Sequence, residues 1–232
     1  MVQSGSLQLA VLALLYYSCV FLIRTAMFAC TWSDQPTYAG LNFKTCLALA
    51  QTFGYACGKV PAIAFSPKLP HSQLREALVT VLIGSGACVT LACVVPSAVS
   101  LALVWLACVM LAPTYSLLQR FLEGRRDTEV IVAVVAFSFI GSSGLSKGIA
   151  ADLLNWGYSE REAVAMCATA GTLIGVSAAF GVAAQPPPSA ADVEKRGKRK
   201  AMTNYRAECE KLQREFGPGL GLCLVAYTLL GA

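Results

Sequence analysis

Four basic side chains, Arg24, Lys44, Lys59 and Lys147, stand inside or at the start of long apolar stretches, where water cannot offset their charge. A lysine or arginine at the centre of a membrane-spanning helix costs roughly 2.5–3.5 kcal/mol, so it normally faces a protein interior or an aqueous cavity. Around Lys59 the pattern is regular: Lys44, Gln51, Tyr55 and Lys59 recur at spacings of seven, four and four, which is one face of a helix. Tyr17, Arg24 and Phe28 share a face by the same arithmetic, with Tyr16 close by. An arginine beside tyrosine hydroxyls in a low-dielectric cavity suits a phosphate or carboxylate, because its planar fork makes bidentate contacts. The competing reading is snorkelling: Arg24 lies ~10 Å and Lys59 ~9 Å from the nearer end of its helix, within reach of a long side chain. Lys44 begins its helix and reads as an interfacial anchor. The stretch from Ser138 to Gly148 carries Gly141, Gly144 and Gly148 near one face, a small-residue stripe for close helix packing, with substrate lining by Ser142, Ser143 and Lys147 as the alternative.

The elements that must hold these residues are membrane helices. The 232 residues are 56% hydrophobic and 13% charged, whereas a soluble domain has about 45–50% apolar and about 25% charged residues. A span needs ~20 apolar residues, and six stretches qualify, about Leu9 to Cys30, Phe43 to Phe65, Leu74 to Val95, Val99 to Leu118, Val130 to Leu153 and Ala163 to Ala184. A seventh, from about Gly217 to Ala232, covers only ~24 Å. The predicted fold is thus an all-α membrane protein, a six-helix bundle over residues 1–184, a basic linker over 185–216 and a partial seventh helix over 217–232. Pro113 is expected to kink the fourth helix, with Tyr115 and Gln119 adding polar groups. The first stretch is too long for a signal peptide and carries an arginine where such a segment is purely apolar.

Charge and cysteine usage narrow the function classes. The net charge of +5 is confined to short segments between apolar runs, so membrane lipids are the expected partners and nucleic acid is not. The 10 cysteines lie in the apolar runs or, for Cys209, in the charged linker, with no C-x-x-C spacing, and read as small packing residues. Lys68, Arg75, Arg120, Arg125, Arg126 and the linker fall on one side and Asp34, Asp152, Glu160, Arg161 and Glu162 on the other, which places the N-terminus in the cytoplasm. In the linker, Pro186 to Pro188 end the sixth helix, the run Lys195 to Lys200 suits anionic headgroups, and Thr203 caps an amphipathic surface helix with Tyr205, Cys209, Leu212 and Phe216 on one face. No metal cluster, nucleophile–base pair or phosphate loop is present, so neither an enzyme nor a cofactor is expected.

Tyr16-Tyr17 followed by Leu22-Ile23-Arg24, then Gly54-Tyr55-Ala56-Cys57-Gly58-Lys59, resembles the first two helices of the organophosphate:phosphate antiporter branch of the major facilitator superfamily. A closer likeness is to a mostly bacterial family of the same superfamily known only as a domain of unknown function. It rests on Gln51 through Lys59, on Phe121 through Glu129, on Ser142-Ser143-Gly144 with Lys147, and on Pro186 to Ser189 with Pro218-Gly219-Leu220. The resemblance implies a twelve-helix fold whose two halves rock about a central site. In this sequence it makes Arg24 and Lys59 anion-contacting residues, with Tyr17, Gln51 and Tyr55 beside them. Two positions depart from the antiporter pattern: Thr25 follows Arg24 where a lysine is frequent, and the fifth helix has no histidine, His71 lying in the loop before the third. The expected function is transport of a small organic anion, with an organic phosphate as one candidate. Because such a cavity has a wall from each half, the expected partner is a C-terminal half or a second membrane subunit. The alternative is a transporter-derived accessory subunit that does not itself transport.

Overall fold

The computed structural model describes residues 4–123, 125, 127–186 and 214. The basic run Lys195 to Lys200, the amphipathic helix after Thr203 and the partial seventh span lie outside these, Arg214 excepted. Seven α-helices are described: α1 (Ser4–Thr25), α2 (Phe43–Phe65), α3 (His71–Ala92), α4 (Ser97–Leu111), α5 (Thr114–Leu122), α6 (Thr128–Asn155) and α7 (Glu160–Ala183). Among the described residues there is no strand beyond an isolated bridge between Tyr38 and Leu41. The molecule is an all-α bundle, and five spans are long and apolar enough to cross a membrane: Ser6–Phe28, Ser72–Ala92, Ser97–Leu122, Thr128–Asn155 and Glu160–Ala183. The long helix outside that set is α2, whose interior carries Gln51, Tyr55 and Lys59.

The fourth expected helix is two, α4 and α5, broken around Pro113. The pyrrolidine has no N–H for the Val109 carbonyl and clashes with it, so the helix must re-form beyond the ring. It does so through Leu117 N donating to Pro113 O at 3.0 Å. The freed Val109 carbonyl turns to account at Gly58 of α2, where an added Cβ would strike that oxygen. Gly54, one turn earlier, meets the Trp105 carbonyl in the same way. These two glycines let α2 lie backbone to backbone on α4, and Cα–H groups facing carbonyl oxygens add a weak attraction.

Packing follows a repeated scheme. Helix α1 packs on α6 and α7, α4 packs on α2 and α3, and α3 packs on α7. Gly171, Gly175 and Gly181 of α7 sit against Cys19, Ile23 and Leu12 of α1, which explains the closeness of that pair. Tyr16 lies on this structural side of α1, fully buried, its hydroxyl donating to the Leu78 carbonyl at 3.2 Å. Many large apolar side chains face outward, including Leu7, Val11, Phe53, Val60, Ile63, Leu91, Ile140 and Leu173. An apolar exterior on this scale fits an integral membrane protein and no water-soluble domain.

One end of the bundle is tied by two charged residues in the first turn of α7. The Glu160 carboxylate accepts from Thr31 N (2.6 Å), Thr31 Oγ1 (2.8 Å) and Trp32 N (3.0 Å). Arg161 donates to the carbonyls of Cys93 and Val95 and to Gln35 Oε1. Trp32 is held at φ +57°, a costly backbone for a bulky residue. Its burial, its edge-to-face contact with Phe43 at 5.6 Å and its indole donating to Met27 O at 2.8 Å offset that strain. Two further positive φ angles, at Ala39 and Gly40, close the tight Tyr38–Leu41 turn just before α2 begins. Glu160→Ala removes the acceptor that fixes the Thr31–Trp32 backbone, and we expect a loss of about 1–3 kcal/mol. The check is a lower unfolding temperature, with Glu160→Gln intermediate between the two.

Candidate functional site

Side chains of a helix lean toward its N-terminus, and this decides where the two cations go. Helix α1 carries Arg24 close to its C-terminal end, so a backward lean takes the guanidinium toward the middle of the helix and away from the near end. Tyr55 stands near the middle of α2. The Arg24 guanidinium lies 4.9 Å from the centre of the Tyr55 ring and 5.1 Å from that of Phe21. Lys59, one turn beyond Tyr55, leans back in the same sense, and its Nζ is 5.3 Å from the same ring. Two positive charges therefore share one tyrosine ring. Each gains from the ring quadrupole and loses to the other's charge.

Among the described residues no carboxylate pairs with either cation, and the charge that acts on Lys59 is that of Arg24. Two buried side-chain atoms among the described residues have no hydrogen-bond partner, and both belong to this region: Arg24 Nε and Gln51 Oε1. A buried, unmet donor and acceptor cost of order 1–3 kcal/mol each, so their presence together is a reason to look for what they wait for.

The floor of the site is aromatic. Tyr17 is buried, with ring centres 5.7 Å from Phe21, 5.6 Å from Tyr115 and 5.0 Å from Phe139. Tyr115 and Phe139 complete the cluster at 5.6 Å. Tyr17 lies within electrostatic reach of Tyr55 and Arg24, as Cys108 does of Arg24. The helices that contribute are α1, α2, α5 and α6, so the break at Pro113 serves the site as well: it starts the helix that presents Tyr115.

The structure thus brings together Arg24, Lys59, Tyr55 and Tyr17, with Gln51 one turn before Tyr55 on the same half-buried face of α2. Phe21, Tyr115 and Phe139 join them. The first two were within sight, since Phe21 lies between Tyr17 and Arg24 and Tyr115 is a polar aromatic beside the proline. Phe139 gave no signal, because a phenylalanine in an apolar run looks like any other. Lys147 stands apart from the pair. It is exposed on α6, and the Ser18–Ser142 bond at 2.7 Å fixes the register that puts it near the height of Arg24. Ser142 itself is used in that α1–α6 contact. Lys44 is half-buried in the first turn of α2, a position that suits an anchor. Gly144 and Gly148 have open space beside them and Gly141 meets only Phe137 of its own helix, so among the described residues no other helix packs on the stripe.

The sequence model of one family, described as a family of unknown function (DUF5690), matches residues 26–232. No curated protein and no solved structure matches the chain.

Proposed function

The chain belongs to this family of unknown function, and from its site we propose that it forms the binding half of a membrane transporter for a small organic anion, working by alternating access. The observation that carries this reading is the pair Arg24 and Lys59, converged on one ring with no carboxylate among the described residues to neutralise them. An uncompensated cation pair in an apolar bundle is stabilised by an arriving anion and destabilised without one. Tyr17, Tyr55 and Gln51 shape the site, while Lys147, exposed on α6, stands apart from the cation pair. An organic phosphate meets the requirement for two cations and an apolar or aromatic contact surface.

The packing scheme supports a major-facilitator origin. Exchanging α1, α2 and α3 with the α4–α5 span, α6 and α7 leaves the scheme unchanged, since α1 on α6 becomes α4 on α2 and α1 on α7 becomes α4 on α3. Nested three-helix repeats of this kind build each half of those transporters. A second half or a partner membrane subunit then supplies the opposite wall, and the open glycine face of α6 is suited to it. The same open face favours the second reading, an accessory subunit whose role is assembly. The two separate on one experiment, uptake of a labelled organic phosphate into vesicles reconstituted with the protein and its partner. Saturable uptake that inorganic phosphate inhibits is the expected result. Intact assembly without any uptake would return the protein to the accessory class.

We place the N-terminus and the basic linker in the cytoplasm, on the distribution of lysine and arginine between loops. An impermeant thiol reagent applied to sealed, right-side-out cells should leave Cys209 unmodified until the membrane is opened. Rapid labelling from outside reverses the topology.

A further inference from the structure

The unmet atoms at the site are one donor and one acceptor, and an anion of acceptor oxygens alone satisfies only the first. Arg24 Nε needs an acceptor, while the buried Gln51 Oε1 needs a donor, which neither a carboxylate nor a fully ionised oxyanion carries. The cations and the aromatic cluster offer Gln51 no partner either, and among the described residues no other buried side-chain oxygen is left in this state. Resting on the anion-site reading above, we propose that Gln51 is a specificity-determining residue that selects anions bearing a hydroxyl or acid proton next to the charged group, such as a monoprotonated phosphate or a hydroxy acid.

The physical basis is the asymmetry of buried hydrogen bonds. A ligand that brings both an acceptor and an O–H satisfies Arg24 Nε and Gln51 Oε1 together. A ligand of the same size and charge without the O–H leaves the amide oxygen buried and unpaired and adds a lone pair of its own facing it. Sites built to bond a hydroxyl reject analogues that lack one far more strongly than apolar pockets reject an extra group.

Hydrogen phosphate and sulfate make this comparison directly, since both are tetrahedral dianions and only the first has a proton to give. The experiment is isothermal titration of each into the full chain in nanodiscs of zwitterionic lipid, at a pH where phosphate is the monoprotonated dianion. Wild type is expected to bind phosphate about tenfold or more tightly than sulfate. Gln51→Leu should bring the two near parity, with folding checked by thermal unfolding. Gln51→Glu keeps an acceptor oxygen, so it should weaken both anions through its charge and preserve the preference for phosphate. A wild type that binds both equally, or a preference that survives Gln51→Leu, overturns the role of Gln51 and leaves the anion site standing. Absence of binding of either anion to wild type overturns the anion site itself, and the inference with it.

Discussion

Arg24→Lys is expected to lower anion affinity and uptake by at least tenfold while leaving the bundle folded. The substitution keeps the charge and removes the geometry. An ammonium is a point charge with no Nε–H, so the bidentate fork and the buried donor now lacking a partner both disappear. Lysine is also more strongly hydrated than arginine and keeps less of the stacking on Tyr55 and Phe21, whose ring centres lie 4.9 and 5.1 Å from the Arg24 guanidinium. Each 1.4 kcal/mol of interaction lost is about tenfold in affinity. Arg24 makes no hydrogen bond at Nε that the fold would miss, so unfolding temperature should move little. The measurements are phosphate titration of the purified protein and uptake in vesicles. An accessory subunit gives the opposite pattern: Arg24→Lys is silent, and neutralising Lys198, Arg199 and Lys200 weakens membrane or partner association. Affinity unchanged by Arg24→Lys would remove Arg24 from the site.

The long helices were legible because the membrane leaves few choices. Phe43 and Phe65 bound α2 in both the sequence reading and the structure, and the last expected span differs from α7 by a few residues at its start, where Ser159 and Glu162 form a capping box. The cations were legible for the same reason, since a charge in an apolar run must be placed somewhere. What sequence could not choose was between snorkelling and a shared site. That choice depends on which way each helix runs beside its neighbour, and in the structure both backward-leaning side chains arrive at the Tyr55 ring, at 4.9 and 5.3 Å from its centre. The glycines show the opposite limit. Periodicity marked Gly141, Gly144 and Gly148 for close packing, yet the tightest backbone approaches among the described glycines are at Gly54 and Gly58, which sit in a stretch that reads as part of the polar motif. A glycine's spacing is visible in sequence, whereas the carbonyl that approaches it is supplied by another helix.

Gly58→Leu is expected to be among the most damaging single substitutions in the described bundle, and Gly148→Leu among the mildest to the bundle itself. At Gly58 a Cβ would land on the Val109 carbonyl oxygen and 2.6 Å from the Ala112 Cβ, both on the stiff segment leading into Pro113. Neither neighbour is a flexible side-chain end that can swing away, so α2 must move off α4. Overpacking a tight contact costs about 1–3 kcal/mol and more where backbone must shift. Because Lys59 is the next residue and Tyr55 one turn back, that movement also pulls the site apart, and anion binding should fall together with thermal stability. Gly58→Ala gives a smaller version of both losses. At Gly148 nothing lies within 4 Å of the added carbon, so the isolated bundle should unfold at or slightly above the wild-type temperature, since glycine is the poorer helix former by about 1 kcal/mol. Its effect belongs to assembly. If a second half or subunit packs on α6, leucine there blocks the approach of its backbone, and association should be lost while phosphate binding to the bundle persists. Equal stability losses at the two glycines would mean that α6 is already packed as tightly as α2. Association undisturbed by Gly148→Leu would move the partner to a different face.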